Sequence, residues 1–523
     1  MKRCGHWLTS PWRRTAVAAL AGALPVLAFP APALWWWAYV ALVPWILLAR
    51  SAPTGRRAAY DGWGGGFGFM LAMHHWLLPD LHVFTLVLAA LLGGLWAPWA
   101  WLVRRFLAEA EAPTRRRVLA ALLVLPSAWL AVELVRSWQG LGGPWGVLGA
   151  SQWQVEPALR LASVGGVWLL SFLVVAVNVA AAVLVALPAS RAPAVAGLVA
   201  TAATASAAWA WAPRPEAAGE ARIAVVQPGV IDGPDERFDR EEELTRRLAG
   251  RDVDLIVWGE SSVGYDLAAR PDLAGRIADL ARATGADVLV NVDAPRSDRP
   301  GIYKSSILVG AGGLTGDRYD KMRLVPFGEY IPARSLLGWA TSVGRAAGED
   351  RRRGTGQVLM NAGHGVRFGP MVCFETAFPD MSRHLVEDGA DLLVGQSSTS
   401  SFQRSWAPAQ HASLGALRAA ETGRPFVHAT LTGDSAVYDA SGRPLGSWLG
   451  PDASTAAVYD VPLADGVTLY VRYGDWAVHG SLLVLVALGL TEGVRAVRLR
   501  RTAPAPPGPP ARTVRESPAR PGR

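Results

Sequence analysis

A chain of 523 residues that is 51% apolar, carries 23 Trp and has a mean hydropathy of +0.21 is too apolar for a soluble enzyme of its size. Its formal charge of +8 reports mostly membrane topology and also suits anionic lipid, so no nucleic-acid partner is needed to explain it. The two cysteines, Cys4 and Cys373, are separated by the predicted membrane, which excludes a disulfide within the chain.

In chain order, apolar runs predict about eight transmembrane helices, near residues 15–31, 33–49, 62–79, 83–103, 117–135, 161–187, 192–212 and 476–494. Each approaches the roughly 20 helical residues that cross about 30 Å of hydrocarbon. The third run is short and holds Gly62, Gly64, Gly65, Gly66 and Gly68, which predicts close helix packing. The first resembles a signal peptide in length, but the runs that follow it favour a retained anchor. Arg13 and Arg14, Arg56 and Arg57, Arg115 to Arg117, Arg191, and Arg495 to Arg501 fall in alternate loops, so they share one side. Both termini are therefore expected in the cytoplasm. The expected division is a membrane domain over 1–217, an extracytoplasmic soluble block over 218–470, a last helix over 471–501, and a disordered Pro- and Arg-rich cytoplasmic tail over 502–523.

Inside the soluble block, short β-rich segments alternate with amphipathic stretches. Strands are predicted at 223–226, 255–258, 288–291, 305–309, 366–372, 392–394, 426–430 and 436–438. Helices are predicted at 239–249, 271–284, 380–388 and 408–422, with Pro379 at a helix start and Gly389 at a helix end. The alternation is that of an α/β fold, and about 250 residues suffice for one domain with its own core.

Three segments place ionisable groups just after predicted strands, where open α/β sheets build their sites. Val-Trp-Gly-Glu-Ser-Ser carries Glu260. Tyr-Asp-Lys-Met-Arg-Leu-Val-Pro-Phe-Gly-Glu-Tyr-Ile-Pro carries Lys321 and Glu329. Gly-Pro-Met-Val-Cys-Phe-Glu-Thr carries Cys373, Phe374 and Glu375. A free cysteine at a strand end is most often a small buried hydrophobe, and a glutamate most often a surface charge. Lysine is rare here: against 48 Arg there are three Lys, at 2, 304 and 321. A compact, tunable charge suits Lys321 to a developing oxyanion, while Lys304 has no evident role. His74, His75 and His82 lack Cys or carboxylate partners at ligand spacing and read as packing or interfacial residues, so no metal is expected.

Taken together, these segments resemble the nitrilase superfamily, which places a Glu-Lys-Cys set on an α-β-β-α sandwich. With about eight membrane spans around it, the chain resembles one branch, the apolipoprotein N-acyltransferases of the bacterial cell envelope. Lys-Met-Arg-Leu-Val-Pro-Phe-Gly-Glu-Tyr-Ile-Pro, Val-Cys-Phe-Glu, Arg-Ala-Ala-Glu-Thr-Gly-Arg-Pro (418–425) and, in the membrane half, Gly-Pro-Trp (143–145) with Ser151 and Gln152 carry that resemblance. It implies that Glu260 is a general base for Cys373, that Lys321 stabilises the tetrahedral oxyanion with the Phe374 N–H as a second donor, and that Glu329 and Glu375 orient Lys321 and hold the covering loops. It further implies a phospholipid acyl donor, a diacylated apolipoprotein acceptor, a cytoplasmic-membrane location and no cofactor.

Two departures stand out. Gly259 replaces a common proline before the glutamate, which predicts a looser backbone. Gln396-Ser-Ser-Thr-Ser-Ser-Phe-Gln replaces an Asn-Asp-x-Trp-Phe-Gly stretch, leaving Phe402 and Trp406 to supply an aromatic surface. The insert between Glu329 and Cys373 carries Leu336, Leu337 and Trp339, which read as a lipid-contacting flap. A membrane-tethered amidase using the same three residues and a silent scaffold of the same fold remain the alternatives.

Overall fold

The computed structural model describes residues 10–108, 113–339 and 348–502. Cys4, and the predicted disordered tail 502–523 apart from Thr502, which ends the last helix, lie outside the described residues. Among the described residues, five helices are long and apolar enough to cross a membrane: Val83–Leu107, Arg115–Arg136, Glu156–Ala186, Pro188–Trp211 and Trp476–Arg498. They coincide with the last five predicted runs.

The first three runs take other forms. Helix Pro11–Ala23 tightens into a 3-10 segment, Leu24–Ala28, where Pro25 removes a backbone donor. The second run divides into a 3-10 turn, Trp35–Tyr39, and a helix of only 8 residues, Val43–Arg50, opened by Pro44. The third is a 19-residue helix, Gly55–Met73, capped by the Thr54 hydroxyl, which accepts from Arg57 N at 3.1 Å. Its buried Asp61 pairs with Arg14 and Arg57, both at 2.8 Å. Lengths and composition thus support several crossing helices. The glycines pack closely as expected, with Gly65 against Gly22 and Gly66 against Gly93. Trp45, Trp99 and Trp129 fill the centre of this bundle edge to face.

The soluble half contains eleven strands among the described residues: β1 Glu216–Gln227, β2 Leu255–Trp258, β3 Asp287–Pro295, β4 Ile302–Gly310, β5 Gly313–Asp320, β6 Met360–Asn361, β7 Arg367–Val372, β8 Leu392–Ser397, β9 Phe426–Thr430, β10 Ala436–Tyr438 and β11 Thr455–Asp465. They form a six-stranded sheet, β11-β1-β2-β3-β4-β5, and a five-stranded sheet, β10-β9-β8-β7-β6. β5, β6 and β11 were not expected. β5 and β11 are edge strands of the larger sheet with few fully buried residues, and little apolar alternation marks them.

Alternate residues of the central strands enter different cores. Ile223, Val225, Leu255 and Val257 meet Phe368, Val372, Leu392 and Val427 between the sheets. Val226, Ile256, Trp258 and Val290 face the outer helices Pro234–Arg246 and Pro271–Thr284. Met371, Leu393 and Phe426 face helices Pro379–Glu387 and Ala407–Thr422, whose apolar residues are continuous with the membrane-helix core. The result is an α-β-β-α sandwich seated on the membrane helices by one of its helical layers. The 418–425 motif braces that seat. The Glu421 carboxylate accepts from Val167 N at 2.7 Å, where helix Glu156–Ala186 breaks at Gly165 and Gly166, and from Arg418 Nη2 at 3.0 Å.

Candidate active site

The two sheets each deliver part of one cluster. Glu260 follows β2 in the six-stranded sheet, with its N–H donating to Ser397 O of the other sheet at 3.0 Å. The looser backbone expected at Gly259 is not there: a Cβ at this position would lie 2.0 Å from Leu431 N. Glycine is required because the end of β2 meets the chain leaving β9.

Lys321 follows β5, and its Nζ donates to Glu329 Oε1 at 2.7 Å and to Glu260 Oε1 at 3.3 Å. Glu329 is fixed in turn, its Oε2 accepting from Val325 N at 2.8 Å. Glu375 does not touch Lys321. Its Oε1 accepts from Tyr319 Oη at 2.8 Å, Met322 N at 2.7 Å and Arg323 N at 2.9 Å, and its Oε2 from Val372 N at 2.8 Å. It therefore ties the chain after Lys321 to the strand before Cys373.

Cys373 sits at the end of β7 with φ 52°, in the left-handed region that a non-glycine residue seldom adopts. The turn brings the thiol to the Glu260 carboxylate, and each group shifts the other's proton affinity. His411 Nε2 lies 2.9 Å from Cys373 O, and its Nδ1 lies 3.0 Å from Ser397 Oγ. A carbonyl only accepts, so the proton is on Nε2 and Ser397 donates to Nδ1. Burial keeps this ring neutral, at about 4.

Lys304, without a role from sequence, joins the cluster: its Nζ is 2.7 Å from Glu260 Oε1 and 3.3 Å from Glu329 Oε1. Burial pushes the Glu260 carboxyl up, but Lys304 and Lys321 outweigh it and hold the group at about 2. Burial pushes the Cys373 thiol up to about 12, with the Glu260 charge adding to it. The resting pair is thus a neutral thiol beside a carboxylate, the state a general base needs before it takes a proton. The opposing carboxylates overcome burial at both lysines and raise them.

Cys373 and Phe374 open on an apolar cavity of about 200 Å³ whose far walls are membrane-half residues, among them Met70, Leu88 and Trp145. Phe402 lines it too and stacks edge-on against Trp76 at 4.6 Å; Trp406 packs on His75 at 4.9 Å. The aromatic surface expected of the atypical run is present. Gln396 itself points the other way, its Nε2 donating to Trp258 O at 2.8 Å across the sheets. Gly143 lies beneath the elbow at φ 68°, where a Cβ would strike the Phe374 ring at 2.6 Å. Gln152 is buried away from the cavity, bonded to Tyr39 Oη and Trp35 O. At the rim, Trp339 stacks on Phe84 at 4.8 Å, and Leu336 is 75% exposed.

Two family models divide the chain: the apolipoprotein N-acyltransferase N-terminal domain matches residues 21–180, and carbon-nitrogen hydrolase matches residues 222–468. Curated relatives match nearly end to end. The apolipoprotein N-acyltransferase of Azotobacter vinelandii is 32% identical over 96% of this chain and 99% of its own. The protein of the same name from Geobacter metallireducens is 32% identical over 91% and 95%, and that from Pseudomonas aeruginosa is 30% identical over 93% and 97%. With both halves matched in one chain and full-length relatives at this identity, the chain belongs to the apolipoprotein N-acyltransferase family, within the carbon-nitrogen hydrolase superfamily.

Proposed function

We propose that this protein transfers an acyl chain from a membrane phospholipid to the α-amino group of an S-diacylglyceryl-cysteine at a lipoprotein N-terminus. The observation that carries the reading is the position of Cys373, at the head of an apolar cavity shared with the membrane helices, with a carboxylate and two lysines behind it.

The reaction is ping-pong. As Cys373 Sγ attacks the ester carbonyl carbon, the thiol proton passes to Glu260 and the carbonyl electron pair moves to oxygen. Lys321 Nζ and the Phe374 N–H stabilise that oxyanion. Collapse breaks the ester C–O bond, and Glu260 returns the proton to the departing lysophospholipid. The lipopeptide amine then attacks the thioester, Glu260 takes a proton from the nitrogen, and the thiol leaves with it. A thioester favours this second step because its carbonyl is more reactive toward an amine than the ester was. Glu329 and Glu375 act by positioning.

Both substrates are lipid-anchored, so a site opening into the membrane half is reached without extracting either. We place the soluble block, 218–470, on the extracytoplasmic face between a membrane domain, 1–217, and a last helix, 471–501. Both termini are then cytoplasmic, with the first three apolar runs completing eight crossings. The cavity favours transfer over a tethered amidase, and the intact Glu260, Lys321 and Cys373 disfavour a silent scaffold.

The test is to incubate purified protein with phospholipid and no amine. Cys373 gains the mass of one acyl chain, releasable by hydroxylamine, while Cys373→Ala gains none. Free fatty acid formed without a trapped thioester points instead to hydrolysis.

A further inference from the structure

Lys304 lies outside the three segments that point to the site, yet its Nζ is the cation nearest the Glu260 carboxylate, at 2.7 Å against 3.3 Å for Lys321. The pairing reverses at Glu329, which is 2.7 Å from Lys321 and 3.3 Å from Lys304. Each lysine has one principal carboxylate, and each reaches both.

The backbone makes this arrangement costly. Lys321 N donates to Lys304 O at 2.8 Å, continuing the ladder of β4 and β5 one step past the Ser305–Asp320 pair. Like charges opposite one another in a sheet destabilise it. Here both are withdrawn from water, with side-chain exposures of 13% for Lys304 and 0% for Lys321. Two of the three lysines in a chain with 48 arginines occupy this pair of positions.

The charges around them nearly cancel. Lys304 faces Glu260 beyond β2, Glu329, Lys321 beyond β5, and Asp293 of β3 at 3.7 Å; Asp293 is closer to Arg351, at 3.3 Å. Glu260 faces both lysines and the Cys373 thiol, with neutral His411 behind the elbow. With Asp293 assigned to Arg351, two cations offset two carboxylates around a neutral thiol. Without Lys304 the same space holds an excess negative charge just where a thiol must lose its proton and an ester oxygen must become an anion.

We infer that Lys304 is a positioning residue for the transfer reaction, one that holds Glu260 as a carboxylate aligned on Cys373 and leaves Lys321 available to the oxyanion. The inference rests on the acyl-transfer reading of Glu260, Lys321 and Cys373. When the Sγ–C bond forms and the thiol proton reaches Glu260, Glu329 is left as the sole carboxylate facing two lysines. Lys304 satisfies it, and Lys321 turns its freed charge to the new oxyanion. A single lysine would have to serve both.

The experiment uses full-length, detergent-solubilised protein in three forms, Lys304→Met, Lys304→Gln and Lys304→Arg, each shown by thermal unfolding to be folded. Single-turnover thioester formation on Cys373 from fluorescent phosphatidylethanolamine is followed from about pH 3 to about pH 8. Wild-type protein keeps its plateau down to the acid end of that window, because Glu260 is held at about 2. The neutral variants bring an acid half-point into the window, about 1 to 3 pH units higher, and lower the plateau, while Lys304→Arg returns the flat profile. A profile that stays flat to the acid end of the window at the wild-type plateau in folded Lys304→Met and Lys304→Gln would make this a structural ion pair and overturn the inference. If wild-type protein forms no thioester, the acyl-transfer reading fails. Alkylation of Cys373 by iodoacetamide, which needs no lipid, then decides the Lys304 question through the same half-point.

Discussion

The two helical layers of the sandwich are built for different neighbours. Helix Pro271–Thr284 is amphipathic: Leu273, Ile277, Leu280 and Ala281 are buried on the sheet, while Arg276 and Arg282 face outward. Helix Ala407–Thr422 is buried on nearly every residue, because the sheet covers one side and membrane helices the other. The solvent-side sheet supplies Glu260, Lys304 and Lys321, the proposed base and cations, and the membrane-side sheet supplies Cys373, the proposed nucleophile. The site thus occupies the seam between a layer that meets water and a layer that meets the membrane helices. Its thiol opens toward the membrane half.

The contrast can be broken at its ion pairs. Arg418 and Glu421 are 1% and 0% exposed, and Glu421 also caps the broken membrane helix through Val167 N. Glu421→Ala strands a buried guanidinium and a helix end. We expect a loss of about 3 to 5 kcal/mol, read as a large fall in the thermal midpoint in detergent, together with weakened seating of the soluble half.

At the seam, Lys321→Met removes the charge we propose for the oxyanion. Acyl transfer should fall by about 10² to 10³ with the fold intact, measured as the single-turnover rate of lysolipid release.

A smaller but more diagnostic effect concerns pH. Because Glu260 is held at about 2 and Cys373 at about 12, neither titrates between pH 6 and 8. A base-assisted thiol then reacts with iodoacetamide at a rate nearly independent of pH in that window. In Glu260→Gln the reaction is slower and climbs about tenfold per pH unit, as it tracks free thiolate. The fold does not confound this. A depressed carboxyl stabilises the native state above its unfolded value of about 4.3, and that contribution fades only as pH falls toward about 2.

The smallest effect belongs to the water-facing layer. Arg276 pairs with Asp239 and Glu242 at 39% side-chain exposure, so Arg276→Ala should cost no more than about 1 kcal/mol and leave transfer unchanged. An effect as large as that of Glu421→Ala would erase the distinction between the layers.

Much of the site is legible in the sequence because open sheets put function at strand ends. Glu260 and Cys373 follow strands with strong apolar patterns, and Lys321 and Glu329 lie in a recognisable run. Lys304 is not legible for a definite reason: its meaning comes from standing opposite Lys321 across β4 and β5, and β5 is a polar edge strand with no alternation to announce it. The role of Gly259 depends on the approach of Leu431, far along the chain, so a residue that reads locally as slack is packed tightly. In the membrane half, apolar content predicts burial in lipid, but Pro25 and Pro44 decide where helices stop, and the first two runs break accordingly.

The central claim is acyl transfer to an amine through Cys373, and lipopeptide mass tests it most directly. Membranes containing the protein or Cys373→Ala are given phospholipid and a synthetic diacylated Cys-Ser-Ser lipopeptide. The account predicts a gain of one acyl group on the α-amine with the wild-type protein and none with the variant. Lysolipid and free fatty acid without any peptide gain, or an equal gain with Cys373→Ala, would contradict it.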